Sequence, residues 1–75
     1  MSAAPSLFQK PVSDRDRGFL RRVADAGDWY ELANGEAPSA VHCMRAGYTR
    51  LSRDGRRAII TSNGQAYLLQ IMRVH

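Results

Sequence analysis

The stretch Tyr48–Thr61, YTRLSRDGRRAIIT, decides the fold. Asp54-Gly55 is a strong hairpin turn signal, because the favoured tight turn requires positive φ at both central residues. The flanks, Tyr48–Ser52 and Ala58–Thr61, are rich in β-formers, with Ile59 and Ile60 the clearest. The segment therefore predicts a two-stranded antiparallel hairpin that carries Arg50, Arg53, Arg56 and Arg57.

C-terminal to the hairpin, a helix is expected over 63–73. Ser62 and Gln65 stand at capping-box spacing, each able to satisfy a free backbone donor at the helix start. Seven of the nine residues from Ala66 to Val74 are apolar, more than one buried stripe requires. Two readings account for the excess. Leu68, Leu69, Ile71 and Met72 meet another chain, as in a homodimer, or Leu7 and Phe8 of the N-terminal segment cover the second face.

N-terminal to the hairpin, a short helix is expected over 38–46. Pro38 suits the first turn, where no backbone donor is needed, and Gly47 suits the position past the end. Ala40, Val41, Met44 and Tyr48 are expected to share its inward face. Cys43 reads as a small buried apolar residue. Residues 28–36, DWYELANGE, allow a short strand or one abbreviated helical turn ending at Asn34-Gly35. Trp29 reads as a core or boundary residue rather than a base-stacking platform. A longer helix is expected over 14–26, with Ser13 as N-cap, Phe19, Leu20, Val23 and Ala24 as its buried stripe, and Gly27 as its left-handed stop. Residues 1–13 show no periodicity and read as a flexible tail.

The whole is one small α+β domain. At 75 residues a single core is the only sensible count, and such a core buries about 60% of the unfolded surface. An apolar fraction of 44% fits a folded rather than a disordered chain. The absence of an 18-residue apolar run excludes a membrane span, and the N-terminus does not read as a secretory signal. One cysteine permits no internal disulfide, which suits a reducing cytoplasm. With His42 and His75 it makes too few ligands for a metal site. No nucleophile–base pair, phosphate loop or cofactor motif stands at a usable spacing, so no enzyme is expected.

Charge is unevenly spread. Residues 45–57 hold five arginines against Asp54, a net of +4, while 25–36 hold Asp25, Asp28, Glu31 and Glu36 and no base, a net of −4. The basic stretch is the natural face for an anion.

The order helix, short element, helix, hairpin, helix resembles a winged helix-turn-helix. The likeness is carried by residues 37–69, APSAVHCMRAGYTRLSRDGRRAIITSNGQAYLL, in which Arg45-Ala46-Gly47-Tyr48 is similar to the helix stop before the first hairpin strand. Ser52–Arg57 resembles the charged wing, and Ile60-Thr61-Ser62-Asn63-Gly64 the strand end that opens the last helix. Residues 27–36 leave room only for a shortened second helix. The resemblance implies a bacterial or phage transcriptional regulator that binds double-stranded DNA, with helix 38–46 in the major groove and the wing on phosphates. Ser39, His42 and Arg45 would then face bases, and Arg50, Arg53, Arg56 and Arg57 would neutralise phosphates. The rival class is a protein-interaction module, an inhibitor or adaptor that binds a larger enzyme or nucleoprotein with a degenerate form of the same fold.

Overall fold

A computed structural model describes residues 11–74, with side chains described through Ile71. Residues 1–10 of the expected tail, including Leu7 and Phe8, lie outside the described residues, as do the side chain of Met72 and all of His75. The chain forms three helices and a three-stranded antiparallel sheet: α1 (Asp14–Ala26), β1 (Tyr30–Glu31), α2 (Ala37–Arg45), β2 (Thr49–Leu51), β3 (Arg57–Ile60) and α3 (Ser62–Val74). The sheet order is β1-β3-β2, so the expected two-stranded hairpin gains a third strand on its β3 edge.

Helix α1 forms where its signals place it. The Ser13 side chain accepts from the Asp16 amide at 3.2 Å, and Gly27 closes the helix at φ 71°. Phe19, Leu20 and Val23 are fully buried. Helix α2 ends in a Schellman arrangement: the Gly47 amide donates to the Met44 carbonyl and the Tyr48 amide to the Cys43 carbonyl, both at 2.9 Å. Its inward face is Ser39, Ala40 and Cys43. Met44, expected on that face, is exposed, because packing against both α1 and β2 rotates the buried stripe by about a residue.

The hairpin loop is longer than the expected two-residue turn. Ser52 and Arg57 close it, with the Ser52 amide donating to the Arg57 carbonyl at 2.9 Å, which leaves four residues, Arg53–Arg56, in the loop. Gly55 alone in the loop takes positive φ, at 75°. Asp54 instead receives bonds from the Ser52 hydroxyl at 2.6 Å and the Arg56 amide at 3.0 Å, holding a loop built round a 52–55 turn.

The start of α3 also differs by one residue. Thr61, not Ser62, is the cap: its Oγ1 accepts from the Gly64 amide at 3.0 Å and donates to the Gly47 carbonyl at 2.7 Å. The last helix is thereby tied to the end of α2. Gly64 sits so close to the base of the hairpin that a Cβ there would stand 2.3 Å from the Tyr48 carbonyl oxygen.

The core joins Phe19, Leu20, Val23, Ala40, Cys43, Tyr48, Ala58, Tyr67 and Leu68. Phe19 meets Tyr30 edge-on at 5.9 Å between centroids, and Tyr48 stacks on Tyr67 at 4.4 Å. Among the described residues no helix is long and apolar enough to cross a membrane.

Candidate functional site

Strand pairing sorts the arginines. Opposed residues in an antiparallel pair share a face, and alternate residues change face. Thr49, Leu51, Ala58, Ile60 and Tyr30 face the helices. Arg50 lies opposite Ile59, and Glu31 opposite Arg57, so these four occupy the outer face of the sheet. Arg53 and Arg56 project from the loop beyond it. All four hairpin arginines are exposed. Arg50 and Arg57 are diagonal neighbours across β2 and β3, a separation of roughly 7–8 Å.

The described ion pairs are Arg17–Asp14 and Arg22–Glu36, and His42 also meets the Asp16 carboxylate. Among the described residues none of Arg45, Arg50, Arg53, Arg56 and Arg57 lies in one. Asp54 is the carboxylate nearest to them in sequence. Its pKa is lowered by the Ser52 hydroxyl first, then by the Arg56 amide and by the charges of Arg56 and Arg57. Its main partners are thus the groups that shape the loop.

The α2 part of the expected site divides. Ser39, expected to face bases, is 2% exposed, and its hydroxyl helps to hold the Asp16 pKa down. Burial of α2 against α1 puts position 39 on the inward stripe. His42 and Arg45 remain exposed on the flank of α2. His42 Nδ1 lies 2.9 Å from Asp16 Oδ2, which ties its ring to α1. A groove of about 420 Å³ beside that pair is lined by Val12, Ser13, Asp16, His42, Arg45 and Ala46, among others. Burial acts to raise the Asp16 pKa, but the bonds from Ser39, His42 and Ser13 outweigh it and hold the carboxylate below its usual range.

The acidic segment is not a continuous negative face. Glu36 accepts from Arg22 Nη2 at 2.8 Å, from the Tyr30 hydroxyl at 2.9 Å and from the Ala33 amide at 2.8 Å. It braces the tight turn that occupies the place of a second helix, and its charge is spent on Arg22. Asp25, Asp28 and Glu31 stay exposed.

The residues expected at an interface on the last helix divide between the core and the surface. Leu68 belongs to the core and Ile71 packs against it, because α3 lies on both α1 and β3. Leu69 is 61% exposed. It lines a groove of about 440 Å³ with Arg21, Ala24, Asp25, Gln65 and Leu68. Trp29, expected in the core or at its boundary, is 45% exposed and outside the core cluster. Its sequence context gave no sign of this. The two-residue strand that follows it reveals its direction only once Tyr30 is paired with Ala58.

Among the described residues no group of three or more His, Cys, Asp or Glu side chains is placed to hold a metal. Comparison with protein families, curated proteins and solved structures finds no match for the chain.

Proposed function

We propose that the chain is a reduced winged-helix domain, with a turn braced by Glu36 in place of the middle helix, and that it binds double-stranded DNA as a cytoplasmic transcriptional regulator. The observation that carries this reading is the hairpin. It presents Arg50, Arg53, Arg56 and Arg57 exposed and free of described ion pairs on a chain of net charge +4. Unpaired guanidinium groups are suited to phosphate, which they grip through fixed forks of donors. His42 and Arg45 extend the cationic surface along α2 toward the groove, and Ser39 takes no part. No catalytic role is assigned to any residue.

If all five arginines meet phosphates, log affinity falls with log salt at a slope of about −4.5. Replacing Arg53 and Arg56 by Ala reduces the magnitude of that slope by about 1.8. A mobility-shift titration of parent and double variant on duplex fragments checks this. Equal affinity and equal slope for the two proteins would refute the assignment of the loop.

A second reading rests on a different observation. Leu69 is exposed beside the α1–α3 groove, an apolar element suited to a protein partner or a second copy of the chain. In that case Leu69→Glu abolishes partner capture or self-association and leaves duplex affinity unchanged.

A further inference from the structure

The outer face of the sheet carries more than charge. Continuing the Tyr30↔Ala58 register back by one residue sets Trp29 against Ile59, on the side away from the helices. The 45% exposure of Trp29 and its exclusion from the core cluster agree with that direction. Ile59 is half-buried yet also lies outside the core cluster. One row across the sheet therefore reads Trp29, Ile59, Arg50, and the next reads Glu31, Arg57. An indole next to an aliphatic side chain, with Arg57 on the neighbouring strand and Arg50 on the strand beyond, covers an open sheet face.

We propose that this face binds an unpaired nucleic-acid strand, with a base stacked on Trp29 over Ile59 and the neighbouring phosphates held by Arg50 and Arg57. The inference rests on the reading that the chain binds nucleic acid, and adds to it a second mode that shares Arg50 and Arg57 with the first and adds Trp29. The chemistry selects the occupant. Bases present flat apolar faces that stack on exposed aromatic rings irrespective of sequence, while the phosphates between them seek cations. A duplex keeps its bases inside and offers nothing to the indole. An acidic peptide would satisfy the arginines but leave Trp29 without a flat partner. Among the described residues of these two rows Glu31, opposite Arg57, is the one acid.

Trp29 is the only tryptophan in the chain, so its emission reports on this face alone. The experiment titrates the full chain with single-stranded oligo-dT and oligo-U at low salt, following tryptophan fluorescence. Binding of labelled oligonucleotide to Trp29→Phe and Trp29→Ala is followed in parallel by anisotropy. The expected result is saturable quenching, affinity largely kept in Trp29→Phe, and a loss of about 5- to 150-fold in Trp29→Ala. Quenching by one of the two oligonucleotides identifies the strand as DNA or RNA, and either supports the proposal. Unchanged emission at saturating oligonucleotide, or equal affinity of Trp29→Ala and parent, overturns it. Quenching by an acidic peptide but by neither oligonucleotide also overturns it. The duplex assay with Arg53 and Arg56 replaced is read separately. Duplex binding without quenching by single strands overturns this platform alone. Quenching by single strands without duplex binding supports the platform and overturns the duplex reading.

Discussion

Cys43 shows how far one residue's chemistry is set by its surroundings. Its side chain is fully buried on the inward face of α2, with Sγ 3.7 Å from the Asp16 carbonyl oxygen. Burial first, and the nearby Asp16 charge second, push the thiol up to about 12. The thiolate is the reactive form, so the folded chain holds an inert cysteine at neutral pH. Ellman's reagent at pH 8 is expected to label Cys43 at least about 100-fold more slowly in the native protein than in denaturant. Labelling at the rate of a free thiol would show that α2 does not pack as described. The apolar reading of this residue was available from sequence, since a lone cysteine amid Ala, Val and Met suggests a core position. The inward turn of Ser39 was not. A serine beside a proline in a first helical turn looks exposed until α1 packs over it.

At the scale of elements, the junction between hairpin and last helix leaves the least room of any glycine position in the chain. Thr61 caps α3 and bonds back to Gly47, while its amide donates to the Tyr48 carbonyl at 2.9 Å. Gly64 faces that same carbonyl, and a Cβ there would also stand 2.8 Å from Ile60 Cγ1. The obstacle is backbone, which cannot rotate aside as a side chain would. Gly64→Ala is therefore expected to cost about 3 kcal/mol or more, although in an isolated helix Ala is the better former. Urea denaturation followed by circular dichroism measures it, and a variant as stable as the parent would show that α3 does not press on the hairpin. The cap moved from Ser62 to Thr61 for the same reason. Both side chains are able to cap locally, but only position 61 also reaches the Gly47 carbonyl. The Asp54-Gly55 signal found the hairpin and missed its loop length, because the Asp54 side chain stabilises a four-residue loop as readily as a tight turn.

At the scale of the whole molecule, two polar clusters join elements far apart in the chain. Asp16, Ser39 and His42 tie α1 to α2, and Glu36, Arg22 and Tyr30 tie the turn to α1 and β1. For Glu36, burial raises the pKa, while the Ala33 amide, Arg22 and Tyr30 lower it further and leave it depressed. Carboxylates with depressed folded values stabilise the fold above their ordinary range. That contribution is lost as pH falls through the folded values, below about pH 4. Thermal midpoints are therefore expected to hold from neutral pH down to about 5 and to drop below about 4. The drop should be smaller in Asp16→Asn/Glu36→Gln, whose midpoint is already lower at neutral pH. An acid transition of equal size in that variant would place the responsible carboxylates elsewhere. A 75-residue core has little stability in reserve, so two such clusters matter to whether it folds.

Local patterns by themselves determined α1 with both of its caps, the existence of α2, the hairpin and α3, and the concentration of arginine between residues 45 and 57. Those features rest on spacing, capping side chains and glycine conformation, which act within a few residues. Tertiary contact alone decided that Tyr30–Glu31 joins the sheet, that Glu36 is neutralised by Arg22, that Leu68 turns inward, and that Trp29 is left outside the core. Each of these depends on which segments meet across more than a dozen residues, and a face has no inside or outside until its partner is in place.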